Sequence, residues 1–420
     1  MRKFRVSFAL GFAASTAAAS ASVPTTLVAK DNDAYLGSTI DTLNAPFTDG
    51  NGRVGFVAGL ASGARMVWYN TGPAFDSSVD PLLSGGEGTM GVSNSGQFIY
   101  SPTYNGNDAV YTGAGLLAAD GDPAVGLPGF FNSFNSRPTM LPNGTAHWVA
   151  GYSSTQGGSS IGRILYRATD VTTPGSESIL LKTGDLVGGF TVGTTGVGFN
   201  YDFSDDGTQH ANVLVLDTGS TANDDFVYVS GALVAREDSP TGQGDDWDNF
   251  DNININNAGN YIFSGDTDGS TTTDEFLAYN GSIVLREGQV VAGRTLGASV
   301  DAASMNELGQ VAFVWDSDLT ETLFAGDATD LANSIALLSI GDELDVNGDL
   351  VADYTLTDFE ASNIISPGID LAENGRIYIE VEITAIGGST AEEAIIGVAI
   401  PEPATAALLT VGLLALRRRR

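Results

Sequence analysis

The 420-residue sequence predicts an all-β fold, a β-propeller of about seven four-stranded blades. Three observations predict it: a turn glycine followed by an alternating apolar strand recurs seven times, a second apolar strand running into a charged turn recurs between the copies, and no amphipathic helical pattern interrupts them. The first feature stands at Gly52, Gly96, Gly144, Gly207, Gly259, Gly309 and Gly375, with neighbouring copies about 44 to 66 residues apart. Four residues after each glycine come Phe56, Tyr100, Trp148, Ala211, Phe263, Phe313 and Ile379. Aromatic and apolar residues at this position, with a further apolar residue usually two places earlier, give the period of a strand with a buried face.

The second feature is seen in Leu27-Val28-Ala29-Lys30, Leu180-Leu181-Lys182-Thr183-Gly184-Asp185 and Leu233-Val234-Ala235-Arg236-Glu237-Asp238, where glycine and acidic residues mark the turn. A third strand is expected between the two, as in Asp225-Phe226-Val227-Tyr228-Val229 and Glu275-Phe276-Leu277-Ala278-Tyr279. Units of this size with about four strands match propeller blades, in which radial closure protects the sheet edges. The same pattern also permits two packed β-sandwiches or an open β-solenoid.

Composition narrows the function. A hydrophobic share of 42% against 16% charged residues is enough for a sizeable core. The formal net charge of -33 repels phosphate backbones and anionic lipid, which argues against nucleic acid as a partner and makes cations the natural counterparts. With no cysteine there is no disulfide, thiolate metal site or cysteine nucleophile, and only His147 and His210 offer imidazole chemistry.

The two ends read as addresses. Residues 1–21 begin with Arg2, Lys3 and Arg5, continue through an apolar run and finish on small residues, the order of a secretory signal peptide. Residues 400–420 carry Pro401-Glu402-Pro403, an apolar stretch over 404–416 and then Arg417, Arg418, Arg419 and Arg420. This stretch is expected to form a short hydrophobic helix, briefer than the ~20 residues of a comfortable bilayer span, with its arginines held in the cytoplasm. Residues 22–399 then form the repetitive β domain.

That tail resembles the PEP-CTERM sorting signal of Gram-negative bacteria. The resemblance implies export, an exosortase-type processing partner, transient contact with the inner membrane, and delivery to the cell surface or an extracellular polysaccharide matrix. A second resemblance lies in the repeats. Asn306, Gly309, Ala312 and Phe313 complete the N-x-x-G-x-x-A-F core of the choice-of-anchor tandem-repeat proteins, and Asn256, Gly259 and Phe263 match it again with Ile262 in place of alanine. The other copies replace the leading asparagine with Asp49, Ser93, Leu141, Ser204 or Ala372. This family implies a repetitive β fold and no particular activity.

Candidate chemistry is sparse. His147 and His210 share one repeat position and could meet on adjacent blades around a metal, although two half-exposed strand residues are the plainer expectation. Asp245, Asp246, Asp248 and Asp251 surround Trp247, a carboxylate and aromatic combination suited to a sugar ring, against which stands a solvated acidic loop. Asp345, Asn347, Asp349 and Asp353 occupy positions 1, 3, 5 and 9 of a calcium-type loop, but Leu350 replaces the expected glycine and Leu356 the acid at position 12. A plain Asx-rich hairpin is the alternative. No nucleophile elbow, P-loop, zinc helix or dinucleotide fingerprint occurs.

No catalytic residue is therefore expected, and the leading expectation is a non-enzymatic exported surface or matrix protein with a binding or structural role. Two alternatives stand beside it: a calcium-assisted carbohydrate-binding adhesin using exposed aromatics such as Trp68, Tyr69 or Trp247, and a polysaccharide hydrolase or lyase, for which fold analogy is the only ground.

Overall fold

A computed structural model describes residues 22–401 apart from 36, 86–87, 135–136, 174 and 362–367. The leader 1–21 and the tail 402–420 lie outside the described residues, so the expected signal peptide and C-terminal helix do too. The described chain is a β-propeller. Its only helical pieces are two 3-10 turns, Ser77–Val79 and Leu331–Asn333, and among the described residues no helix is long and apolar enough to cross a membrane.

Among the described residues seven sheets follow one another along the chain, mostly antiparallel, with four to seven strands each rather than a uniform four. Each touches the next in sequence, and the seventh returns to the first, so the sheets form a ring. The core is divided accordingly. The large apolar clusters each draw on two consecutive sheets: Phe56 and Ile40 meet Ala29 and Ile395 between the seventh and first, and Trp148 meets Ile99 between the third and second. Both faces of a sheet are thus covered, which is why the second strand of the first sheet, Val54–Leu60, is buried at every residue.

The recurring aromatic has a defined place. Phe56, Tyr100, Trp148, Phe263 and Phe313 all pack toward the preceding sheet, and Ile379 takes the same place in the seventh. Ala211 departs from the pattern, and Tyr201 fills the corresponding interface in the fourth sheet.

The N-x-x-G segment is the turn between the innermost strand and the second. Asn306 Oδ1 accepts from the N–H of Leu308 (3.1 Å) and Gln310 (3.0 Å), while Gly309 N–H returns to Asn306 O at 3.0 Å. Asn256 repeats this with Ala258 and Asn260. Asp49 does the same with Asn51 and Arg53, which explains why it can replace asparagine. In the copies led by Leu141 and Ala372 the acceptor moves two residues on, to Asn143 and Asn374. The glycine sits at φ between 70° and 89° in all seven copies, in the left-handed region that side chains resist.

The ring is closed by the N-terminal end of the described chain. Thr26–Lys30 pairs antiparallel with Ala391–Ala399 and forms the outer strand of the seventh sheet, with Leu27 opposite Ile396. The expected third strands are present as Asp225–Val229 and Phe276–Tyr279.

Two glycine substitutions should separate the forces in this ring. A Cβ on Gly91 would lie 2.1 Å from Met140 N in the next sheet, whereas one on Gly309 would meet open space and face only its positive φ. Gly309→Ala should cost about 1–2 kcal/mol, and Gly91→Ala more, at or above the roughly 1–3 kcal/mol of an overpacked core. Denaturant unfolding checks the order; equal losses would contradict the close approach of the second and third sheets.

Candidate functional site at the propeller axis

Each sheet sends an inner strand to a common axis: Phe47–Thr48, Met90–Val92, Thr139–Met140, the end of Phe190–Phe203, Ile253–Ile255, the end of Arg294–Met305 and Ile369–Leu371. Together they line a cavity of about 110 Å³. At about 30 Å³ of liquid volume per water, that is room for several waters or one small solute.

Carboxylates dominate the wall. Asp202 and Asp205 come from the fourth sheet, Glu307 from the sixth, and Asp370 and Glu373 from the seventh. Arg137 is the cation that lines the same cavity among the described residues. These acids occupy two fixed places in the repeat. Asp202 and Asp370 stand two residues before the leading position of the turn, as do Asn254 and Ser304; Asp205, Glu307 and Glu373 stand one residue after it. That recurrence was visible in the sequence, but only the ring shows that both places face the axis.

Several of these acids also tie sheets together. Glu307 accepts from Asp205 N–H at 3.0 Å and from Asn257 N–H, and its own N–H donates to Glu373 Oε1 at 2.8 Å. Asp370 Oδ2 accepts from the N–H and hydroxyl of Thr48, and Asp202 Oδ2 from Ile255 N–H at 2.8 Å. Asp205 accepts no hydrogen bond from a described residue. Burial, reinforced by Glu307 and Glu373, pushes its carboxyl up to about 7. Burial pushes Asp202 up to about 6 against the pull of Ile255 N–H and Arg137, and it also raises Asp370 and Glu373. Three further oxygens, Asn254 Oδ1, Thr89 Oγ1 and Thr139 Oγ1, belong to residues lining the cavity and are buried without a partner. The lining can therefore accept hydrogen bonds, balance positive charge and exchange protons near neutral pH.

The sequence-derived candidates fall elsewhere. His147 and His210 do approach each other, but the ring of Phe203 lies between them, stacked 3.6 Å from His147 and 5.6 Å from His210. That sandwich separates the two imidazoles; His147 is buried rather than half-exposed as expected, and burial pushes it down to about 3 so that it stays neutral. Trp247 is only 4% exposed and packs among Phe250, Phe263 and Phe276, so it is a core residue and no sugar platform. Its neighbour Asp245 is held by Arg286 at 2.7 Å and by Thr241 and Thr267. Trp68 is half-buried against Phe56, and Tyr69 gives its hydroxyl to Asp49.

In the calcium-type loop, Asp345 accepts from the N–H of Gly348 (2.7 Å) and Leu350 (2.8 Å), and Asp353 accepts from Val346 N–H and Asn347 Nδ2. Leu350 adopts φ 68°, the conformation glycine normally supplies at that position. Two other groups of described carboxylates converge closely enough for one ion, Asp301 with Asp316 and Glu321, and Asp358 with Glu360 and Glu382. Nothing in the repeat pattern pointed to either. In the tail, Pro401 is the last described residue, and Glu402, Pro403 and Arg417 to Arg420 lie outside.

No family model and no curated protein sequence matches the chain. Among solved structures, it is similar to prolyl oligopeptidase B from Galerina marginata, at 11% identity and a TM-score of 0.43, over 86% of this chain and 52% of that one. The WD40 propeller domain of Doa1 is similar at 10% identity and a TM-score of 0.41, over 91% of this chain and 98% of that domain. The dihydro-heme d1 dehydrogenase NirN follows at 11% identity and 0.36, over 84% and 66%. This chain thus spans about half the length of the oligopeptidase, and likenesses at this level carry no argument about activity.

Buried acids set the pH response. Burial pushes Glu275 up to about 9, Glu321 and Glu380 to about 8, and Asp205 to about 7. Each binds its proton more tightly folded than unfolded, so the stability it contributes is present at low pH and is lost as pH rises through its folded value. His147 acts in the opposite sense, but only between about 3 and its ordinary value near 6.5. Thermal melting should therefore fall steadily from pH 6.5 to 9, and Glu275→Gln should flatten part of that slope. A melting temperature that rises over this interval would contradict the assignment.

Proposed function

We propose that this chain is a non-enzymatic exported protein of the cell surface or extracellular matrix of a Gram-negative bacterium, and that it binds its ligand in the axial cavity of a seven-bladed propeller. Each of the seven sheets counts as one blade in this reading. The observation that carries it is the cavity wall, where carboxylates from separate sheets converge among apolar side chains, the pattern of a concave ligand site with a few convergent polar groups. Most of the acids there already bind backbone N–H groups of neighbouring sheets, which fixes them as rigid walls. The leader, the Pro401-Glu402-Pro403 tail and the repeat core support export, an exosortase-type processing step, and residence near extracellular polysaccharide.

One observation favours a second reading, polysaccharide hydrolysis or elimination. Asp205 and Asp202, pushed to about 7 and about 6, line one cavity and have the proton affinity of a general acid or base. Calcium remains the cofactor proposed for the loop of Asp345, Asn347, Asp349 and Asp353, on the strength of its ligand spacing and the turn at Leu350. A calcium-assisted adhesin would use that loop, without Trp247.

The test uses a Gram-negative host that carries an exosortase, expressing the full chain and a version ending at Ala399. The full chain should be trimmed near Pro401 and reach the surface, while the shortened one stays in the periplasm. Identical fractionation would overturn the address. Purified protein should release no reducing ends or unsaturated sugars from polysaccharide, and release would move the conclusion to the second reading.

A further inference from the structure

We propose that the axial cavity binds a small organic cation carrying N–H donors, a primary ammonium or guanidinium group, with Asp202 and Asp205 as its charge partners. This deepens the binding function assigned to the same cavity and rests on it.

Four observations converge on that chemistry. First, the lining has unmet hydrogen-bonding capacity that a donor could meet: the Asn254 amide oxygen only accepts, and the Thr89 hydroxyl can accept as well as donate. Asn254 is 9% exposed and Thr89 8% exposed; both line the cavity, and Asn254 Oδ1 and Thr89 Oγ1 have no partner. Buried acceptors are rarely left unmet, and a donor arriving from a ligand would satisfy them. Second, the charge is one-sided. Six carboxylates line the cavity with one guanidinium, Arg137, which acts electrostatically on Asp202 and Asp370, and among the described residues only Asp49 of the six has its own ion pair, with Arg53. Asp205 has no hydrogen bond from a described residue, and Asp202 commits Oδ2 to Ile255.

Third, the described carboxylates of the cavity do not converge on one point. They are absent from the described groups of three carboxylates that close within 4.8 Å, which lie instead at Asp301, Asp316 and Glu321 and at Asp358, Glu360 and Glu382. An ion needs several oxygens at one point, whereas an ammonium or guanidinium group spreads its donors in several directions. Fourth, about 110 Å³ accommodates a few heavy atoms beyond a single water. The chain's net charge of -33 draws cations toward such a cavity.

Protonation should oppose binding. Asp49, Asp202, Asp205, Glu307, Asp370 and Glu373 line the same space, with Arg137 as the fixed positive charge, and against its burial Asp49 is kept ionised by hydrogen bonds from Tyr69 and Arg53. Burial holds Asp205 near 7 and Asp202 near 6, so acid neutralises the partners of a cation that itself keeps its charge.

The test is calorimetric titration of the purified full chain at pH 8 with 1,4-diaminobutane, methylguanidinium, tetramethylammonium and calcium chloride. At least one N–H cation should bind, at least tenfold more tightly than tetramethylammonium, which has the charge without the donors. Asp205→Asn and Asn254→Leu should each weaken it at least fivefold with the melting transition retained, Asp108→Asn on the exposed surface of the second sheet should leave it unchanged, and pH 5.5 should weaken it. The proposal is overturned if neither N–H cation binds, if tetramethylammonium binds equally, or if Asp205→Asn has no effect. Calcium heat abolished by Asp205→Asn, without diamine binding, would make the cavity a metal site and leave the binding function standing. Silence from every probe would count against both.

Discussion

Ring closure depends on one strand pairing, that of Thr26–Lys30 with Ala391–Ala399. The two segments come from opposite ends of the described chain, so the entropy of joining them is that of a very long loop. Backbone hydrogen bonds and the burial of Ala29 against Ile395 offset it. The Lys30–Glu392 ion pair at 3.0 Å flanks the strand, but both groups keep solvent contact, and such pairs contribute about 1 kcal/mol or less. Without this strand the seventh sheet would present an open edge, and the interface between the seventh and first sheets would lose Ala29.

Closure in turn creates the axis. Seven sheets buried on both faces can expose an inner edge only toward the centre, and polar groups placed there cannot be solvated as surface groups are. The structure resolves this by giving many axial acids a backbone N–H from a neighbouring sheet. Glu307 links the fourth, fifth and sixth sheets, and Asp370 links the first and seventh. What remains unsatisfied, at Asn254, Thr89 and Asp205, is what distinguishes a binding cavity from a sealed core. The same burial that raises these carboxyl groups makes alkaline conditions costly for the fold as a whole.

Much of the ring was legible in the sequence because its determinants are local. The turn glycines, the acceptor three residues before them and the aromatic four residues after are short-range requirements, so they survive in degenerate copies. Even the substitutions are readable, since Asp49 caps as asparagine does and Asn143 or Asn374 substitutes from two residues on. The number of strands per sheet was not legible: two-residue pieces such as Leu83–Ser84 and Thr103–Tyr104 have no period of their own. Trp247 was misjudged because acidic neighbours suggest exposure, while the side chain turns inward to Phe276. The axial acids were missed for a different reason. Asp202 with Asp205, Glu307, and Asp370 with Glu373 lie in three segments far apart in sequence, and the convergence of those segments is a property of the closed ring alone.

Closure itself can be measured directly because the chain has no native cysteine to interfere. Leu27 and Ile396 are register partners. In the double variant Leu27→Cys with Ile396→Cys, mild oxidation should give one intramolecular disulfide in monomeric protein and raise the melting temperature over the reduced form. Free thiols or intermolecular dimers under the same oxidation would show that the terminal strand lies elsewhere and that the ring is not closed in this way.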